Sequence, residues 1–497
     1  MSRNQKIDDF MQTFPHEGLT FDDVSLVTQY ADFLPNEADI TSFLTTRITL
    51  NMPFISAAMD TVTEARMAIA MAMLGGIGVI HKNLAAEKQA EMVRTVKSYL
   101  NGLITKPVTF HAADTLKTVA HTRRAKGYNF NGFPILNDQE QLVGILTSKD
   151  IKFAPSANAK LADVMTRELI TAPPDTTLKQ AFDIMMRKRI GKLPLVDQSG
   201  KLVGLYSFSD VRTLIQNVEP MYNRDAQYRL RVAAAVGTHD QARVDILTQS
   251  EVDAVVVDTA HGHSKGVMAM TRWVRQHYPD LDIIAGNIAT GEAALALRDA
   301  GVSAVKVGIG PGSICTTRVV AGVGMPQISA IYACAQALDG SIPVIADGGI
   351  RFSGDVAKAI VAGASAVMMG GVLAGTEESP GEKILYQGRQ YVSYRGMGSL
   401  GAMQDGQGSR ERYGQADVQG DDLVPQGIEG IVPYSGTVKQ VLTQFSGGLK
   451  ASMGYCGCRT LTALRERARF VRVSAAGQVE AHPHDVKITK ESPNYRP

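Results

Sequence analysis

The sequence predicts an α/β protein, a TIM (β/α)8 barrel interrupted by an inserted domain built from a tandem repeat. Two observations predict it. Eight short apolar runs each close on a polar or Gly-rich tip, with helical segments between them. One stretch breaks that pattern and repeats itself instead. The chain has 497 residues, too many for one ordinary compact core, so a large barrel with an insertion is in range.

The runs are, in order, PFISAAM from Pro53, GGIGVIH from Gly75, VAAAVG from Val232, DAVVVDTAHG from Asp253, DIIAGNIA from Asp282, AVKVGIGPG from Ala304, PVIADGG from Pro343 and AVMMGG from Ala366. Small and β-branched residues dominate them, as strands buried on both faces require. Eight strand–helix repeats close a parallel barrel, whose chemistry sits at the C-terminal strand ends. An open doubly wound sheet would leave edges and usually uses fewer strands.

The repeat lies between the second and third runs. FPILNDQEQLVGILTSKDI from Phe133 aligns without gaps on LPLVDQSGKLVGLYSFSDV from Leu193, so that Pro134/Pro194, Gly144/Gly204 and Asp150/Asp210 coincide. Upstream, DTLKTVAHTRRA from Asp114 matches TTLKQAFDIMMR from Thr176, and both read as amphipathic helices. Each unit therefore reads helix, strand, turn, strand, helix. A single unit is too small to bury its apolar face, so the two are expected to pack together. The barrel domain is placed at residues 1–100 and 220–497, and the insert at 101–219.

The composition is that of an ordinary folded protein, with 44% apolar and 20% charged residues. The 51 basic and 49 acidic residues nearly cancel, which leaves no global field for nucleic acid. Four unevenly spaced cysteines, Cys315, Cys334, Cys456 and Cys458, suit a reducing compartment rather than a stapled secreted scaffold. Cys456-Gly-Cys458 has no second ligand pair nearby, which argues against zinc. The N-terminal segment has no apolar signal core, and no window is apolar enough to span a membrane. A cytoplasmic protein is expected.

Residues 376–430 are rich in Gly, Gln, Ser and charge, with little periodicity, and read as a weakly structured lid or binding loop. The sharpest chemical signal is GIGPGSICTTRVVAGVGMPQ, from Gly308 to Gln327. Glycines 308, 310 and 312 let backbone approach a ligand closely. Ser313 and Cys315 follow at the mouth of the sixth strand. A lone Cys is as often an inert buried hydrophobe as a nucleophile. Its place at a Gly-rich strand end favours the nucleophile. A free thiol is only about 3% ionised at pH 7, so such a nucleophile needs dipoles or cations beside it. Asp347-Gly348-Gly349 and Gly370-Gly371 close strands seven and eight, the usual phosphate site of this barrel. Glycine amides bind phosphate oxygens, and a carboxylate such as Asp347 suits ribose hydroxyls. Tight turns alone would also explain Gly370-Gly371.

The segments SAAMDTVTEARMAIAMA, DTAHGHS, GPGSICTTRVVAGVG, ADGGIRFSGDVAKAI, SYRGMGSLGAM, RERY and HPHDVKITKE together resemble the inosine 5′-monophosphate (IMP) dehydrogenase family, from Gly18 to Tyr495. The inserted repeat resembles the tandem CBS (Bateman) module of that family. The resemblance implies oxidation of IMP to xanthosine monophosphate with NAD, through a bond from Cys315 to carbon 2 of the hypoxanthine ring. It implies NAD contacts at Asp258 and at Gly308, Ile309 and Gly310. It implies IMP contacts at Ser313, Asp347, Gly348, Gly349, Gly370 and Gly371, and also at Tyr394, Arg395, Gly396, Met397, Gly398 and Gln426. Many members carry Ser where Gly371 stands, and many bacterial members carry Glu where Gln426 stands.

Arg412 and Tyr413 match the family's mobile flap, with Arg412 as the water-activating base and Tyr413 and Thr316 assisting. Arginine is normally always protonated, so that role demands a closed, desolvated site. Gln426 has no proton to relay, which shifts hydrolysis further onto Arg412. The resemblance also implies a potassium ion held by carbonyls of Gly310, Gly312 and Cys315. Glu480, Ala481 and His482 of a neighbouring subunit would complete that site in a homotetramer or octamer. The CBS pair implies adenine- and guanine-nucleotide sensing (ATP or GTP). There Asp150 and Asp210 either bind ribose hydroxyls or cap helices. Three rivals stand beside this reading. A GMP reductase would have an acidic residue in the segment where Leu400-Gly401 stand, and needs no water-activating flap. A flavin-dependent barrel would be yellow. A non-catalytic CBS sensor would not need Cys315, Thr316, Arg412 and Tyr413.

Overall fold

The computed structural model describes residues 4–13, 17–99, 102–105, 107–126, 132–216, 221–418, 420–490 and 492–495. It divides into two compact units, one of residues 1–97, 221–223 and 230–497, the other of residues 98–220 and 224–229.

The first unit is built on a closed barrel of eight parallel strands. They are β1 (Phe54–Ser56), β2 (Ile77–Ile80), β3 (Ala233–Val236), β4 (Ala254–Asp258), β5 (Asp282–Ile288), β6 (Ala304–Val307), β7 (Val344–Asp347) and β8 (Ala366–Met369). Each strand pairs with the next, and β8 closes on β1 through Val367–Phe54 and Met368–Ile55. Every expected run supplies one strand. The period of two sorts their residues. Ile55, Val79, Ala235, Val256, Ile284 and Ile345 fill the barrel interior. The alternate residues, such as Val255, Val257, Val305 and Val367, pack outward against the helices. The same parity points Asp258, Lys306 and Asp347 inward at the C-terminal rim, two residues beyond Val256, Ala304 and Ile345.

The stretch 376–430 is regular at 383–412 and from 429, which corrects the expectation in part; 376–382 and most of 413–428 are irregular among the described residues. Two strands, β9 (Lys383–Tyr386) and β10 (Arg389–Arg395), form a hairpin that β11 (Glu429–Pro433) extends into a three-stranded antiparallel sheet. Gln387 and Gly388, both at positive φ, make the two-residue turn. Two short helices, Leu400–Asp405 and Gln407–Arg412, follow β10. Most of this sheet faces solvent, so its polar composition hides an ordinary hairpin.

The second unit holds two three-stranded sheets. One contains Phe110–His111, Gly132–Leu136 and Leu142–Thr147; the other contains Lys192–Val196, Leu202–Ser207 and Leu103–Ile104. The short strand Leu103–Ile104 precedes the first repeat yet pairs with the second, through Leu205–Ile104 and Tyr206–Leu103. In the first repeat Thr166 takes the equivalent place against Ile145. Each repeat has its own apolar cluster, one around Leu193 and Met185, the other around Phe133 and Leu146. The repeats join where their turns meet: Leu142 N donates to Gly200 O at 3.0 Å and Gln141 Nε2 to Ser199 O at 2.8 Å. Asp150 acts as a capping residue, accepting from Thr147 N at 2.6 Å and Thr147 Oγ1 at 2.7 Å. Among the described residues no helix is long and apolar enough to cross a membrane.

Candidate active site

A lysine in an apolar strand must find partners, because an unpaired buried charge is very costly. Lys306 is fully buried in β6. Its amine donates to Asp347 Oδ2 at 2.7 Å and to Asn287 Oδ1, and pairs with Asp258 Oδ1 at 2.9 Å. Asn287 in turn donates to Asp347 Oδ2 at 2.9 Å and to the Gly308 carbonyl at 2.7 Å. One cation thus fixes two carboxylates from β4 and β7 on the barrel rim. Lys306→Met leaves the buried Asp258 and the half-buried Asp347 without it. It is expected to lower stability by about 3 kcal/mol or more, read as a lower urea midpoint. An unchanged midpoint would remove Lys306 from this role.

Gly308 directly follows β6 with φ 151, and the Asp347 carbonyl occupies the place a Cβ would take. Only glycine fits there. The chain then turns so that Cys315 N donates to Gly312 O at 3.1 Å. The half-buried Cys315 thiol donates to the Thr317 hydroxyl over 3.2 Å. Once ionised, the sulfur accepts from the same hydroxyl. Across the cavity the buried Tyr394 hydroxyl donates to Met59 Sδ at 3.9 Å, and burial pushes the phenol's pKa up. It therefore stays a neutral donor. A Cβ at Gly371 would stand 3.3 Å from Ser313 Oγ and 3.8 Å from the Tyr394 hydroxyl, so the two hydroxyls close in on this position.

The segment carrying Arg412 to Ile428 lies over these groups. Thr316 N donates to Gln426 O at 3.1 Å, Ile428 N donates to Ile314 O at 3.0 Å, and Cys315 bridges Gly427. The Arg412 guanidinium pairs with Asp258 Oδ2, and the Arg412 carbonyl accepts from Ala260 N at 2.9 Å. Tyr413 packs its ring against Gly398, and burial pushes its phenol up as well.

One cavity of about 1360 Å³ gathers Cys315, Ser313, Asp347, Tyr394, Arg412 and Tyr413 on its wall. Asp258, Gly396, Met397 and Gln426 line it too, as do the glycine tips beyond β6, β7 and β8. Ile309, Thr316, Arg395, Gly398, Glu480 and Ala481 do not. The Arg395 guanidinium is engaged elsewhere, by Asp60 at 2.8 Å and Asp405 at 2.7 Å. Glu480 and Ala481 are exposed on the helix Ala475–Ala481, while His482 reaches the cavity mouth beside Phe352 and Tyr495. The sequence reading missed Lys306, Asn287 and Thr317. A charge inside AVKVGIGPG and an amide inside DIIAGNIA were the available signals for the first two. Among the described residues no cluster of three His, Cys, Asp or Glu side chains could hold a metal. A cation near Cys315 would need backbone carbonyls as its ligands.

The fold and this cavity define a (β/α)8-barrel enzyme with its site at the C-terminal strand ends. The sequence matches the family described as IMP dehydrogenase / GMP reductase domain over residues 18–484. It is 52% identical over 486 residues to an inosine-5′-monophosphate dehydrogenase of Halalkalibacterium halodurans, covering 97% of this chain and 99% of that one. It is also 52% identical over 485 residues to the Escherichia coli K12 protein of the same name, covering 97% and 98%. The fold matches a GMP reductase variant of Trypanosoma brucei in complex with guanosine 5′-monophosphate, with a TM-score of 0.77 and 36% identity over 96% of this chain and 99% of that one. The chain belongs to the IMP dehydrogenase / GMP reductase family.

Proposed function

We propose that this protein oxidises IMP to xanthosine monophosphate with NAD, in guanine nucleotide biosynthesis, through a covalent bond to Cys315. The observation that carries the mechanism is the shared cavity: a thiol, a ribose-type carboxylate and glycine tips face one space, with Arg412 and Tyr413 closed over it. The glycine tips beyond β7 and β8, with Ser313 and Tyr394, hold the phosphate, and Asp347 holds the ribose. The Cys315 thiolate adds to carbon 2 of the hypoxanthine, forming the C–S bond. Bound NAD supplies the acceptor for the hydride that leaves carbon 2, and a thioimidate remains on the sulfur. Water then adds to carbon 2 and gives up a proton to the base, and the C–S bond breaks to return the thiolate.

Asp258 serves both halves. The resemblance assigns it to the dinucleotide, yet in the closed flap it holds Arg412. Hydride transfer therefore belongs to the open flap and hydrolysis to the closed one, with Arg412 as base and Tyr413 and Thr316 assisting. A potassium ion fits the carbonyls of Gly310, Gly312 and Cys315, since hard oxygen donors suit a group I cation. The exposed Glu480, Ala481 and His482 segment would complete that site in a homotetramer. The inserted repeats, residues 101–219, are read as a CBS pair that senses ATP or GTP.

The structural likeness to a GMP reductase makes that reaction the rival. Purified protein given IMP and NAD is expected to show rising absorbance from reduced dinucleotide. No rise there, with a fall when GMP and NADPH are supplied, would replace this reading by the reductase.

A further inference from the structure

Lys82 stands two residues beyond β2, at the barrel mouth, and the chemistry above does not use it. Its side chain is only 4% exposed, and its ammonium has no hydrogen-bond partner among the described residues. The flap's Glu411, the residue before Arg412, brings a carboxylate oxygen to 3.6 Å. The two meet over Gly237, where a Cβ would stand 2.8 Å from both the amine and that carboxylate. The flap helix also rests on the Lys82–Asn83 backbone. A Cβ at Gly408 would stand 2.7 Å from the Lys82 carbonyl, one at Gly406 would overlap the Asn83 side chain, and Ser409 N donates to Asn83 Oδ1 at 3.2 Å.

We propose that Lys82 is a positioning residue: it latches the flap through Glu411 and thereby delivers Arg412 to Asp258. The charged groups acting on it are Glu411 and Arg412 from the flap and Asp240 and Arg243 beyond β3. Burial pushes the amine's pKa down, while Asp240 and Glu411 push it back up. The arrival of Glu411 therefore favours the charged amine, and by linkage the charged amine favours the closed flap. The inference rests on the proposed reaction, in which hydrolysis alone needs that closed state.

Pre-steady-state kinetics with IMP and NAD separate the steps, since the NADH burst reads hydride transfer and the linear phase reads hydrolysis. Lys82→Met and Glu411→Gln are each expected to keep the burst and slow the linear phase about tenfold, on the scale of a partly buried charge pair. The double variant should be no slower than either single one, because both remove the same contact. Lys82→Arg should retain most of the rate. A wild-type linear phase in Glu411→Gln, multiplicative losses in the double variant, or loss of the burst would each overturn the latch. Glu411 lies on the flap outside the barrel core, so its variant decides the matter even if Lys82→Met fails to fold. Failure of the unmodified protein to turn over IMP with NAD would instead sink the underlying reaction.

Discussion

Cys315→Ala is expected to abolish NADH formation from IMP, by about 10⁴-fold or more, while IMP binding persists. The magnitude follows from the role proposed for the sulfur: without a nucleophile there is no tetrahedral adduct from which hydride can leave. Binding should survive because the residues proposed to hold the nucleotide are Asp347, Ser313, Tyr394 and the glycine tips, and none depends on the sulfur for its position. Asp347 is fixed by Lys306 and Asn287, and Tyr394 is held by burial and by its contact with Met59. Dinucleotide absorbance checks the first point, and calorimetric titration with IMP the second. A companion measurement on the unmodified protein is mass spectrometry after quenching during turnover. It should find a nucleotide adduct on the peptide that holds Cys315. An alanine variant that reduces NAD at the original rate would end the covalent reading.

The barrel was legible because its strands advertise themselves twice, by apolar runs and by the tips that end them. AVVVD and VIAD each carry an inward acid at the last position, and both acids arrive at the rim as the parity requires. The flap sheet was not legible. KILYQGRQYVSYR has a two-residue turn, but Leu385 and Tyr386 are exposed rather than buried, so its apolar residues mark no single face for hydrophobic periodicity to register. The strand Leu103–Ile104 was hidden for another reason. It pairs about a hundred residues away, Leu103 with Tyr206, and no local pattern encodes so distant a partner. Resemblance supplied the flap residues, Arg412 and Tyr413. Periodicity could not, since their meaning lies in a docked position against Asp258 and Gly398 that only the fold creates. Lys306 is the reverse case, a site residue visible in the sequence as a charge that an apolar strand cannot leave unpaired.

Arg412→Ala is expected to split the reaction in two. Hydride transfer should proceed, because Cys315, Asp347 and the glycine tips make no use of the guanidinium. Hydrolysis should slow by about 10²- to 10⁴-fold, the usual worth of a positioned acid–base group. The structure gives that side chain one partner of opposite charge, Asp258, whose other oxygen is already held by Lys306. Removing it therefore leaves the barrel floor intact and empties only the flap's contact. Gln426, at a place where a carboxylate could relay a proton, touches the Cys315 loop through its backbone carbonyl to Thr316 N. An amide side chain takes up no proton near neutral pH, so Gln426 cannot share the load as a base. The variant should give a full NADH burst, then a nearly flat phase while nucleotide accumulates on Cys315. Lys at the same position restores the charge but not the fork that meets Asp258, and should recover little of the rate. Normal hydrolysis in the alanine variant would exclude Arg412 as the base, and a missing burst would place it in the first half of the reaction instead.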